Sequence, residues 1–212
     1  MNEAMFTIFA AWAALAAAAI SPGPNMVAVA SRGLGSGRGS ALLVAFGIAL
    51  GGFGWAMLTA LGFGTLFEKF PVLIRVLGVV GGLYLGWLGY KGWRAAVTGA
   101  PGEITPQKGE GTWRDVRYGL VVTATNPKVA LLWASLSTFV GSQTTSLPLL
   151  ILFACGSSVI LFAIYGGYGL LFSVSGIRQL YARFQKASEA VFGTIFGMIG
   201  IGMILRSVRG SL

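Results

Sequence analysis

Two long apolar stretches of this chain are each interrupted by proline set beside hydrogen-bonding side chains. The first interruption is Ser21-Pro22-Gly23-Pro24-Asn25, the second Thr123-Ala124-Thr125-Asn126-Pro127-Lys128. In hydrocarbon, backbone groups freed by proline have no water to turn to. Broken helices therefore persist only where they line a cavity or are buried in protein. Corresponding breaks in the two halves of a chain point to a transporter's binding site near the membrane midplane.

That argument requires a membrane, and the composition supplies one. Charged residues make up 10% of the 212, apolar residues 55%, and mean hydropathy is +0.78. A soluble domain carries about 25% charged residues. The chain reads as an all-α, polytopic membrane protein with short loops. About 20 apolar residues cross the hydrocarbon. On that measure six spans fall at 4–31, 39–67, 71–96, 116–140, 147–174 and 187–206. The N-terminus lacks a positive leader region, so it is read as the first span rather than a signal peptide. Residues 98–115, rich in Gly, Pro, Lys and Glu, read as a flexible cytoplasmic linker. They separate a first three-helix repeat at 1–97 from a second at 116–212. An offset of 102 lays Ser21 to Met26 over Thr123 to Lys128 and matches Val27 with Val129, Ala28 with Ala130 and Gly54 with Gly156. Repeats of three spans start on opposite sides, so they must be inverted.

Ten Lys and Arg fall on the side of the connections after spans 1, 3 and 5, and four on the other. The positive-inside rule makes the richer side cytoplasmic and places both termini in the periplasm. The net charge of +9 is spread over loops, which suits anionic lipid headgroups and not nucleic acid. There is no histidine, which removes the usual metal ligand and imidazole base. No metal site or cofactor is expected. The lone Cys155 cannot form an intrachain disulfide and reads as a small core residue.

The first break supplies Ser21, Pro22, Gly23, Pro24 and Asn25 as candidate substrate-binding residues. Two prolines and a glycine free backbone carbonyls there, and a half-helix starting near Asn25 would turn its positive end toward a carboxylate. The second break supplies Thr125, Asn126, Pro127 and Lys128. A lysine inside a span is costly and marks a functional site by default. Its partner is either backbone carbonyls or a substrate carboxylate. The bland alternative is a pair of structural kinks with Ser and Asn bonding their own backbone. Glycines at helical spacing in spans 2, 3 and 6 allow close helix crossing, within one chain or in a homodimer.

At these residues the chain resembles the LysE/RhtB family of amino-acid exporters. The resemblance rests on Ser21-Pro22-Gly23-Pro24-Asn25, Arg32-Gly33, Gly47-Ile48-Ala49-Leu50-Gly51, Gly81-Gly82-Leu83-Tyr84-Leu85-Gly86-Trp87 and Asn126-Pro127-Lys128. It implies a bacterial inner-membrane secondary transporter that exports amino acids or related metabolites, driven by the proton gradient. Where many members carry an acidic residue after the Gly51 position, this chain has Gly52. Other readings are weaker. A cation exporter wants clustered carboxylates within the spans. A membrane hydrolase has only Ser21 with Lys128 as a conceivable dyad. A passive subunit has no need of matched breaks.

Overall fold

The computed structural model describes residues 3–59, 69–98, 104–140, 146–174 and 176–209. The end of the second expected span, part of the linker and the polar turn at 141–145 lie outside these residues. Eight helices are described: α1 Glu3–Ile20, α2 Pro24–Ser36, α3 Arg38–Leu58, α4 Pro71–Thr98, α5 Thr112–Thr125, α6 Pro127–Val140, α7 Leu147–Phe172 and α8 Ile177–Arg209. The described residues contain no strand. Three helices, α1, α3 and α7, are long and apolar enough on their own to cross a membrane, with mean hydropathies of 1.7, 2.0 and 2.5. The protein is a multi-pass membrane protein. The first expected span divides into α1 and α2, and the fourth into α5 and α6.

The chain forms two compact units. Met1–Thr65 with Ile104–Ile177 make one, and Leu66–Glu103 with Arg178–Leu212 make the other. In the first, α3 is the central helix and packs on α2, α5 and α7. Glycine sets the α3–α5 spacing. A Cβ on Gly47 would fall 2.0 Å from the Val116 carbonyl oxygen, and one on Gly119 would fall 2.1 Å from that of Val44. With no hydrophobic force between helices in lipid, such backbone approach supplies the packing. Gly52 is filled in the same way, since its Cβ would meet Leu161 Cδ1 at 2.1 Å. An acidic side chain would have to displace that leucine. Between α2 and α3 the chain turns at Gly37, whose φ of 79° favours glycine.

In the second unit, α4 and α8 cross on the glycine faces read from the sequence. Gly89 meets Gly193 and Gly197, and Gly82 meets Gly200 and Ile204. Of the two uses open to those glycines, intrachain packing is the one seen at these positions.

Two expectations need correction. Cys155 is exposed, not in the core. Helix α7 is apolar all round, so in a membrane an apolar position on it is not thereby an inward one. The linker is not loose where it is described. The Gln107 N–H donates to the Ser31 carbonyl at 3.0 Å, and the Gly109 N–H donates to Ser36 Oγ at 2.6 Å. Ile104 is buried, and helix α5 begins at Thr112, inside the stretch read as linker. Hydrogen bonds to the end of α2, unreadable from composition, hold this segment down.

Candidate functional site

Both half-helices begin the same way. Proline occupies the first helical position of each, Pro24 in α2 and Pro127 in α6. There its missing N–H is one the helix would leave unpaired anyway, and its fixed φ suits the helix. Asn126 caps α6, its Oδ1 accepting from the Lys128 N–H at 3.1 Å. Asn25 lies one residue into α2. The two asparagines meet, with Asn126 Nδ2 donating to Asn25 Oδ1 at 3.0 Å across 101 residues of sequence. Both are buried, at 3% and 4% exposure. Amides so buried need hydrogen-bond partners, and this bond supplies one to each of them.

Four of the carbonyls at the first break have side-chain partners. Ser21 Oγ donates to Ala18 O at 2.7 Å, and the Tyr168 hydroxyl donates to Ile20 O at 2.6 Å. Lys128 serves the other two of these, donating through Nζ to Ser21 O at 3.1 Å and Pro22 O at 3.4 Å. Its ammonium also donates to Ser21 Oγ. Of the two partners left open from the sequence, backbone carbonyls are the one seen. The ammonium therefore sits just past the C-terminal end of α1, where the helix dipole favours a cation.

Beside these groups lies a small cavity walled by α1, α2, α5, α6 and α7. Gly23, Asn25, Thr123, Asn126, Lys128 and Tyr165 supply its polar parts, and Leu15, Leu132, Trp133 and Leu161 its apolar ones. The space open to the centre of a water molecule is about 20 Å³. That admits ordered water, which needs about 10–15 Å³ on this measure. It does not admit an amino acid, so a ligand of that size enters only with a rearrangement.

The expected site residues thus divide. Ser21, Pro22, Gly23, Asn25, Asn126 and Lys128 come together. Pro24 and Pro127 are exposed and act as helix starters. Thr125 is also exposed, its hydroxyl donating to Val121 O at 2.8 Å. Thr123 takes the place given to Thr125. It is 1% exposed, lines the cavity, and its Oγ1 finds no hydrogen-bond partner among the described residues. Helical spacing holds the clue, because Thr123 lies three residues before Asn126 and Thr125 only one.

A second polar cluster escaped the sequence reading altogether. Arg32, counted as a loop charge, lies inside α2 at 3% exposure. Its Nη2 donates to Glu110 Oε1 at 2.8 Å, and its Nε lies 3.5 Å from Asp115 Oδ1. The Tyr118 ring faces the guanidinium at 5.0 Å. Asp115, in the first turn of α5 and 2% exposed, also accepts from Ser40 Oγ at 2.7 Å and from the Glu110 N–H at 3.2 Å.

Known proteins share this chain's pattern along most of its length. A threonine efflux protein of Salmonella typhi is 30% identical over 195 residues, covering 89% of this chain and 92% of that protein. A homoserine/homoserine lactone efflux protein of the same organism is 28% identical, covering 90% and 91%. An uncharacterised membrane protein of Escherichia coli, YahN, is 27% identical, covering 89% and 84%. No solved structure matches. The sequence pattern of the LysE type translocators matches residues 16–207. With paired helix breaks at its centre and that match over nearly its whole length, the chain belongs to the LysE type translocator family.

Proposed function

We propose that this protein exports amino acids, or small metabolites of the same zwitterionic kind, across the bacterial inner membrane through the cavity between the two breaks. One observation carries the reading. The site joins helix ends of opposite polarity, the carbonyl end of α1 and the N-terminal ends of α2 and α6. Carbonyls at the first suit an ammonium, and the positive ends of the other two suit a carboxylate. A zwitterion needs both within a few ångströms. The efflux proteins among the relatives are named for threonine and for homoserine and its lactone, which supports small neutral amino acids over charged ones.

The architecture in this reading is six spans in two inverted repeats, 1–97 and 116–212, with the proton gradient as the driving force and both termini periplasmic. Two features support the repeat. The packing is reciprocal, α1 on α6 and α2 on α5, as a two-fold relation between the halves requires. The third span of each half, α4 and α8, also falls in one unit.

The test is efflux from proteoliposomes preloaded with a panel of amino acids, with and without a pH gradient. The proposal expects at least one small neutral amino acid to leave well above the rate of protein-free vesicles, and faster with the gradient. No efflux of any amino acid on the panel would end it.

A further inference from the structure

The carbonyl cage at the end of α1 has a property that the zwitterion reading alone does not supply. It is already filled by an ammonium group. Ser21 O, Ser21 Oγ and Pro22 O surround Lys128 Nζ, and all three are neutral oxygens. Nothing in that set distinguishes a lysine ammonium from any other primary ammonium. Among the described residues lining the cavity there is no carboxylate that an incoming ammonium would use instead. The amide oxygens are committed, Asn25 Oδ1 to Asn126 and Asn126 Oδ1 to the Lys128 N–H. Gly23 lies at the rim, where a Cβ would stand in van der Waals contact with Nζ at 3.4 Å.

We infer that Ser21 and Pro22 form an ammonium-binding subsite for which Lys128 and the α-ammonium of the substrate compete, so that each must leave before the other can enter. The inference rests on the zwitterion reading above. Lysine suits the part, being a compact charge on a flexible four-carbon stem. It withdraws without disturbing the helix that carries it. The cavity has room for water and no more while the lysine is in place, as exclusion demands. Competition also has a measurable cost. If Lys128 holds the cage 90–99% of the time, the apparent affinity for a competing ammonium falls by roughly 10–100-fold.

The test uses the detergent-solubilised full chain and methylammonium, a primary ammonium with no carboxylate. Saturation-transfer NMR compares wild type, Lys128→Met and Lys128→Arg, with Lys128→Gln as a second vacating variant should Lys128→Met fold poorly. Methylammonium is expected to bind the vacated cage of Lys128→Met or Lys128→Gln at least tenfold more tightly than wild type. Lys128→Arg, which keeps a cation in place, is expected to resemble wild type. Equal or absent binding across folded variants overturns the subsite. That failure is separable from failure of the exporter reading, which would show as methylammonium binding by a protein that moves no amino acid.

Discussion

The first unit holds two cations inside its helices, Arg32 buried and Lys128 half-buried, and it holds them in opposite ways. Arg32 is compensated by charge, with Glu110 on one edge, Asp115 beside Nε and an aromatic face below. Lys128 is held by dipoles, two backbone carbonyls and a hydroxyl. A buried ion pair is hard to break, because removing one partner strands the other in a medium that cannot solvate it. A cation on neutral oxygens is easier to exchange, since any ammonium of similar size satisfies the same acceptors. On the proposed function, the contrast is between a structural charge and a working one. Arg32 ties α2 to α5 and to the 104–111 segment, while Lys128 ties α6 to the break after α1 and, in the proposed reading, serves the site.

Breaking the arginine cluster should have the largest effect on the fold. Asp115→Ala leaves Arg32 paired with Glu110, whose side chain is 56% exposed. It also removes the acceptor for Ser40 and for the Glu110 N–H. Loss of a partner from such a buried pair costs about 3–5 kcal/mol. Thermal unfolding in detergent should show a large fall in Tm. A fall no greater than that of surface variants would mean that the cluster is not what holds this end of the unit.

Arg32→Lys keeps the charge but loses the planar fork and the stacking on Tyr118. An intermediate loss, about 1–2 kcal/mol, is expected from replacing a charge-assisted hydrogen bond with a poorer one. Equality with wild type would reduce Arg32 to a point charge.

Lys128→Met sharpens the comparison from the other side. It retains an apolar stem and removes the ammonium that donates to Ser21 O, Ser21 Oγ and Pro22 O. Stability is expected to change by no more than about 1.5 kcal/mol, the scale of a few lost hydrogen bonds offset by the relief of burying an ion. Net efflux in proteoliposomes should still fall by about tenfold or more, because nothing then displaces substrate from the cage. A destabilisation as large as that of Asp115→Ala would erase the distinction between the two cations.

The difference between the two regions also marks what the sequence could and could not disclose. The breaks were legible because proline and asparagine in an apolar stretch have few physical explanations. Their meeting followed from treating the halves as equivalent, and the structure brings Asn25 and Asn126 into contact. The occupancy of the carbonyls was not legible. A sequence shows that Pro22 and Pro24 free acceptors, but not that Ser21, Tyr168 and Lys128 take them up again. The arginine cluster was missed for a related reason. Arg32 follows a span and Glu110 and Asp115 lie in a polar stretch, so each reads as a solvated loop charge. Burial arises only when the 104–111 segment folds back on α2, a contact between residues 78 positions apart for Arg32 and Glu110. Periodicity carries no trace of such a contact. The orphan hydroxyl of Thr123 differs from that of Thr125 by helical phase alone, and the phase depends on where α5 ends.

The central claim is that two breaks a hundred residues apart act as a single site, and a double-mutant cycle on Asn25 and Asn126 tests it most directly. Efflux would be measured in proteoliposomes for Asn25→Ala, Asn126→Ala and the double variant, normalised to folded protein. Groups that act as a unit are strongly non-additive. The account predicts that each single substitution lowers efflux by about tenfold or more, the cost of leaving one buried amide without its partner. The double variant should be little worse than either single one. Independent, multiplying losses, or efflux unaffected by either substitution, would contradict it.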